Sequence, residues 1–315
     1  MIPVDDIPSG SHCIAAVVLN HGTPDETLLA VHSLLASKRP IHHIVVVNND
    51  PGDTTRRALE PVKSRILFRS TGGNLGFSGG INVGIRQALK LGAESILIAN
   101  SDVIVPPDCV GLLEQSLLAR RSEAGIAGPL VLRRSEPDRI ETAELLYSPA
   151  NGRLRLRHAG QRLSAVRAEP DRIVDGVSGC LMLVRRVVLD AIGLFDERYF
   201  FGFEDLDLCL RARRAGFSTV LVAGAAVYHE GSRTIGAASV ERLYFAARNH
   251  LLLDSEHGRG WRGTMIARQI WIVLLNLAHA VRSAGVSRPA VGAVVLGIRD
   301  YLTNRFGAGP LADRS

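Results

Sequence analysis

Four short apolar runs punctuate the first part of the chain, at 13–19, 44–47, 66–68 and 96–99, and longer segments of helical spacing lie between them. This alternation up to about residue 127 is the pattern of a mostly parallel β-sheet covered by helices, an α/β fold. Thr23, Pro24, Asp25 and Glu26 read as a helix start, and 78–91 as a further helix. Each apolar run ends in polar residues: Asn20 and His21, then Asn48, Asn49 and Asp50, then 72–74, then Asn100, Ser101 and Asp102. In such sheets the ligand crevice lies beyond the carboxyl ends of the strands, so these polar ends are expected to converge on one site.

Further along, Phe203-Glu204-Asp205-Leu206-Asp207-Leu208-Cys209-Leu210-Arg211 puts three carboxylates at the start of an apolar-faced helix predicted over 204–215. Helical spacing gives Asp205 a face with Leu208, Cys209 and Ala212, the side turned toward a core, and aligns Glu204 with Asp207, Leu208 and Arg211. A carboxylate on the buried side of a first turn gains from the helix dipole but loses hydration, so it needs a cation, a donor or a proton to handle. Acids at a helix start also serve simply to satisfy free N–H groups, and the block alone does not separate capping from chemistry.

Between these regions, 137–175 is polar and arginine-rich with a turn at Asn151-Gly152, which predicts hairpins or an excursion. Residues 173–184 read as extended, 187–192 as a short helix, and 218–222 and 226–228 as strand. After about residue 235 the pattern is helical to the end, and there is no internal repeat. The expected organisation is a disordered tail at 1–12, an α/β domain at 13–235 and a helical region at 236–315.

The length of 315 residues, 46% hydrophobic and 22% charged, suits one large domain with an appendage, or two domains. Cys13, Cys109, Cys180 and Cys209 lie far apart without a CxxC pair, which argues against structural zinc or a disulfide framework and for a reducing, cytoplasmic setting. The first residues carry two acids and no apolar run, unlike a signal peptide.

The net charge of +6 matters mainly for where it sits: between residues 257 and 299 there is no Asp or Glu, while six arginines punctuate apolar stretches at 270–281 and 290–298. Each stretch is shorter than the roughly 20 apolar residues a bilayer span takes. Such helices either lie on an anionic membrane surface, here the inner face of the plasma membrane, or pack on the main domain or a second subunit as a homodimer. Nucleic acid is disfavoured, because the basic residues are interleaved with Leu, Val and Trp.

Asn74-Leu75-Gly76-Phe77-Ser78-Gly79-Gly80-Ile81-Asn82-Val83-Gly84 sets four glycines around a turn into a helix, where bare backbone approaches a bulky anion closely. It is neither the dinucleotide fingerprint nor a P-loop, since Asn74 replaces a glycine and no Lys-Ser/Thr follows. Asp102, at a strand end, suits a hard divalent cation shared with phosphate oxygens, or else a turn before Pro106. His229 follows another strand, and an imidazole there favours manganese over calcium.

In this order the segments resemble the family-2 glycosyltransferases, in particular the bacterial rhamnosyl- and galactofuranosyltransferase-like branch. The resemblance covers 13–254 and is carried by Val18-Leu19-Asn20, the glycine block and Leu97-Ile98-Ala99-Asn100-Ser101-Asp102. It continues through Asp175-Gly176-Val177-Ser178-Gly179-Cys180, Gly193-Leu194-Phe195-Asp196-Glu197, the acid block, His229 with Ser232, and Arg248-Asn249. It implies a GT-A fold with a C-terminal helical extension, a nucleotide-diphosphate sugar donor, a Mg2+ or Mn2+ cofactor, and inverting transfer to a glycan or lipid-linked acceptor in cell-envelope polysaccharide synthesis. The donor implied is dTDP-rhamnose or a UDP-sugar.

Carried over by residue, the resemblance assigns Asp102 and His229 to the metal, and Asp205, or its neighbour Glu204, to the catalytic base. It assigns Asn20, Asn48, Asn49, Asp50, Asn74, Gly76, Phe77, Gly79, Asn82, Asn100, Ser101 and Gly179 to the nucleotide sugar. Asn100 stands where the family's first metal acid is usual, and Asn48 where an Asp usually reads the nucleotide. The rival readings are a non-catalytic sugar-binding relative and a sugar-nucleotide pyrophosphorylase, whose basic glycine loop after the first strand Asn20-His21-Gly22-Thr23 lacks.

Overall fold

The structure, a computed structural model, describes residues 12–120, 123–230, 239–284 and 287–310. The expected tail up to residue 11, the Ser232 position and the 235/236 boundary lie outside the described residues. His12, assigned to the tail, is within the fold, with its Nε2 2.7 Å from Ser95 Oγ.

The strands in chain order are β1 (Ile14–Asn20), β2 (His43–Asn48), β3 (Leu67–Ser70), β4 (Ser95–Asn100), β5 (Val103–Ile104), β6 (Ala124–Arg133), β7 (Glu136–Thr142), β8 (Glu144–Tyr147), β9 (Leu154–Arg157), β10 (Arg172–Val174), β11 (Leu181–Arg185) and β12 (Ser218–His229). The helices are α1 (Pro24–Leu35), α2 (Thr54–Ala58), α3 (Gly76–Lys90), α4 (Cys109–Ala119), α5 (Arg186–Ile192), α6 (Glu204–Arg214), α7 (Val240–His257), α8 (Arg262–Ala284) and α9 (Arg288–Leu302).

The main sheet runs β10-β12-β6-β11-β4-β1-β2-β3, with β5 on β12 and β7 on β6. The β4-β1-β2-β3 half is parallel, as are β12 and β6, while β11 enters antiparallel between β4 and β6. Strand alternation sorts the buried side chains onto two faces. Ala15, Val17, Val45, Val47, Ile96 and Ile98 join the core beneath α3 and α6, and Ile14, Ala16, Val18, Ile44, Val46 and Leu97 join the core beneath α1 and α4. Gly84 lets α3 sit directly on β1, since a Cβ there would lie 2.1 Å from Val17 Cγ1.

Three sequence expectations shift. The extended run over 173–184 is broken into β10 and β11 by 175–180, where Gly176 and Gly179 pass close under Leu206 and Asp205 of α6. The two runs at 218–222 and 226–228 are one strand, β12, with a register shift between Val222 and Ala226 that absorbs the residues between them. The apolar stretch at 270–281 is the centre of a longer helix, α8, because Arg262 and Arg268 are taken into it. By length and composition Arg262–Ser283 is sufficient to cross a membrane.

Candidate active site

A cavity of about 520 Å³ opens beyond the carboxyl ends of β1, β2 and β4. It is lined by His21, Asn49, Asn74, Asn100, Ser101, Asp102 and His229, together with Gly179, Glu204 and Asp205. Gly76 and Phe77 of the glycine block also line it. Residues from β4, the break before β11, α6 and the end of β12 therefore meet at one place.

Gly76 is required where it stands. Its φ is 73°, a Cβ would lie 2.4 Å from the Phe200 carbonyl oxygen, and the Phe77 N–H donates to that oxygen at 2.6 Å. Asn49 stitches the turn: its Nδ2 donates to Asn74 Oδ1 at 3.2 Å and Gly76 O at 3.0 Å, and its Oδ1 accepts from Leu75 N at 3.0 Å.

Not every residue assigned to the nucleotide sugar reaches the cavity. Asn20 and Asn48 are buried beneath it and bond each other at 2.8 Å, Asn20 also bonding Thr55 at 2.8 Å and Asn48 the Gly52 carbonyl at 2.9 Å. Their amides organise the loops rather than face the opening. Asp50 acts one step back, 2.7 Å from His21 Nδ1 and accepting from Gly22 N at 2.7 Å. Asn82 is buried in a reciprocal pair with the Phe195 backbone, at 2.9 and 3.0 Å, and Gly79 lies inside α3 against Leu75.

The face that Asp205 shares with Leu208, Cys209 and Ala212 turns to the core as its spacing predicts, all three being fully buried. Glu204 and Asp207, on the neighbouring side, are buried as well, while Asp205 is partly buried and lines the cavity. The Asp207 side is covered because α7 and the loop after α5 close over it: Asp207 meets His257 Nε2 and Arg211 Nε, both at 2.8 Å, and Arg211 donates to the Ile192 and Leu194 carbonyls. Asp207 and Arg211 thus belong to the scaffold, leaving Glu204 and Asp205 at the cavity.

These two neighbours are held differently. Asp205 Oδ2 accepts from Gly179 N at 2.9 Å and Oδ1 from its neighbour Leu206 N at 2.7 Å. Burial raises the Asp205 carboxyl, and those N–H groups oppose the rise. Glu204 Oε2 has no hydrogen-bond partner among the described residues, and burial next to the Asp205 charge pushes its carboxyl well above the usual range. Just before them Phe203 caps α6 with φ 78°, a left-handed conformation that costs an aromatic residue about 1–3 kcal/mol. Asn249 of α7 ties down that approach by donating to the Phe201 and Gly202 carbonyls, each at 2.9 Å.

His229 Nε2 lies 3.2 Å from Asp102 Oδ1 and Nδ1 lies 2.9 Å from Glu141 Oε2. Burial alone would lower the imidazole, but the two carboxylates outweigh it and raise it to about 10. Among the described residues no three His, Cys, Asp or Glu side chains form a ready metal cage. One carboxylate and one imidazole side by side on a cavity wall nevertheless fit a cation that takes its remaining oxygens from a diphosphate and water.

Glu141, Arg155, Arg242 and the aromatic residues Phe200, Phe201 and Phe245 line the cavity without having been singled out from the sequence, alongside Phe203 of the acid block. Glu141 arrives through the irregular β6-β7 pairing, which no local pattern announces. The Phe200-Phe201 pair directly before the acid block was a usable signal.

The fold is GT-A. It superposes on the Pyrobaculum calidifontis mannosyltransferase PcManGT, solved with GDP-Man and Mn2+, with TM-score 0.56 at 15% identity over 93% of this chain and 82% of that one. It superposes equally on Staphylococcus aureus TarS 1–349 in complex with UDP-GlcNAc, TM-score 0.56 at 15% identity, covering 92% and 81%. Residues 11–246 match the family described as glycosyltransferase like family 2, and the chain belongs to that family. In sequence it is 28% identical, over 80% of this chain and 87% of the relative, to the N-acetylglucosaminyl-diphospho-decaprenol L-rhamnosyltransferase of Mycobacterium tuberculosis. It is 30% identical, over 66% and 67%, to galactofuranosyltransferase GlfT1 of the same organism.

Proposed function

We propose that this glycosyltransferase moves a sugar, with inversion, from a nucleotide-diphosphate donor to a hydroxyl of a lipid-linked glycan used in cell-envelope synthesis. The observation that carries this reading is that Asp102, His229 and Asp205 line one cavity. The donor is dTDP-rhamnose or a UDP-sugar, in keeping with the rhamnosyl- and galactofuranosyltransferase relatives. The glycine turn at Gly76 and the polar strand ends give the diphosphate and nucleotide a place to lie.

Asp205 takes the proton of the attacking hydroxyl. Its two N–H partners favour the ionised form a base needs, whereas Glu204, pushed upward by burial and with Oε2 lacking a partner among the described residues, serves to shape the site. Asp102 and, on release of its proton, His229 would hold Mg2+ or Mn2+, which would supply Lewis-acid stabilisation of the leaving diphosphate. The apolar wall of Leu145, Leu154, Leu156, Phe201, Phe203 and Phe245 suits an acceptor whose glycan is joined to a lipid. Four free cysteines suit a reducing cytoplasmic setting.

The test is incubation with dTDP-rhamnose or UDP-sugars, Mn2+ and a polyprenyl-diphosphate-linked glycan, with the product's anomeric configuration read by NMR. Inverted product is expected. Retained configuration, or donor binding without any transfer or hydrolysis, contradicts the proposal.

A further inference from the structure

Helix α8 presents two unlike faces. One is sealed to the protein by buried polar ties. Arg268 pairs with the buried Asp254 and donates to the Arg259 carbonyl at 2.6 Å, and Asn276 Nδ2 lies 3.1 Å from His250 Nδ1, with Ile272 and Ala280 buried on the same face. The other face carries Ile266, Ile270, Leu274 and Val281, exposed by 56%, 58%, 52% and 40%, with Trp271 beside them at 47%. Their spacing of four, four and seven residues places them on one stripe. Gly263 falls on the same stripe, and the Trp261 ring, 74% exposed, lies over it, where a Cβ would come within 2.4 Å.

This is a large apolar surface for a face in water. Its length would permit a membrane crossing, since at about 1.5 Å per residue its 23 residues span about 35 Å. The opposite face forbids that: a crossing would strip Arg268 from Asp254 and Asn276 from His250 and expose them to hydrocarbon. The helix must keep one side on the protein.

Charge says what covers the other side. Arg259, Arg262, Arg282 and Arg288 are exposed along and around α8, and the chain has no Asp or Glu between residues 257 and 299. A basic, tryptophan-bearing helix with an apolar stripe is the form that lies in the plane of an anionic lipid surface, stripe in the acyl boundary and arginines at the phosphates. A second copy of the chain would bring the same arginines against one another, an arrangement that like-charge repulsion disfavours.

We infer that the outer face of α8, from Trp261 to Val281, seats the protein on an anionic membrane surface. The seat is independent of the transfer chemistry. The experiment is flotation of the full chain with vesicles of phosphatidylcholine alone or mixed with phosphatidylglycerol, at low and high salt, beside the variant Ile266→Ser/Ile270→Ser/Leu274→Ser and the variant Arg262→Glu/Arg282→Glu. These positions are exposed, so thermal midpoints and nucleotide-diphosphate binding are expected to match the parent. The parent should float with the anionic vesicles, the serine variant should partition on the order of a hundredfold less, and the glutamate variant should lose the preference for phosphatidylglycerol. A parent that stays with the soluble fraction at low salt, or a serine variant that floats as well as the parent, overturns the inference. So does a parent dimer in sedimentation that the serine variant dissociates without any flotation, which would assign the face to a second copy.

Discussion

His229 is bracketed by two carboxylates, Asp102 at 3.2 Å from Nε2 and Glu141 at 2.9 Å from Nδ1, so the ring is aimed at Asp102 by a residue from a different part of the fold. Glu141 acts as a positioning residue for that imidazole. Partners of this kind typically govern metal affinity by about 10- to 100-fold. Glu141→Ala is expected to weaken Mn2+ binding by that order in calorimetric titration of the nucleotide-diphosphate complex, with Glu141→Gln restoring part of it. Unchanged Mn2+ affinity in Glu141→Ala would show that the contact does not matter.

Asp102 should act on the nucleotide only through the cation. Asp102→Ala is expected to weaken nucleotide-diphosphate binding when Mg2+ or Mn2+ is present and to leave it unchanged in chelator. Equal loss in both conditions would make Asp102 a turn residue.

Much of this site was legible before the fold, and the exceptions have physical causes. The strand ends and the acid block were readable because a parallel sheet forces its carboxyl ends to one side, whatever the loops do. Being at a strand end does not decide which way a side chain turns. Asn49 faces the cavity while Asn20 and Asn48 turn beneath it to hold the loops. The core-facing side of α6 was readable from its spacing, but the burial of the Glu204 and Asp207 side was not, because α7, far along the chain, covers it. Glu141 was invisible because its place depends on a bulged pairing of β7 with β6.

That covered side makes a stability prediction. Asp207 and His257 are each almost fully buried and paired at 2.8 Å, with Arg211 on the other carboxylate oxygen. Removing His257 leaves Oδ1 of the buried carboxylate without its partner while Arg211 stays on Oδ2, so His257→Ala is expected to cost about 1–3 kcal/mol in urea unfolding. Burial would raise the Asp207 carboxyl, but His257 and Arg211 outweigh it and hold it below its ordinary value. A carboxyl lowered on folding stabilises above its unfolded pKa, about 4, and this contribution disappears as pH falls through the folded value. Asp207→Asn should therefore flatten the acid side of the stability profile. A profile identical to the parent's would contradict the assignment.

Asn249 reaches the chemistry indirectly, by holding the Phe201 and Gly202 carbonyls just before Phe203 and the acid pair. Asn249→Ala is expected to lower kcat on the order of 10- to 100-fold, the scale of a small misplacement of a reacting group. Nucleotide-diphosphate affinity should remain at the parent value. A rise in KM for donor with kcat unchanged would argue against this role.

The most direct measurement compares Asp205→Asn and Glu204→Gln for turnover and for nucleotide-diphosphate affinity under the same Mn2+ concentration. The account predicts that Asp205→Asn lowers kcat by about 10²- to 10⁴-fold with affinity nearly intact, and that Glu204→Gln retains most of its rate. Normal turnover by Asp205→Asn, together with loss of turnover in Glu204→Gln, would contradict it.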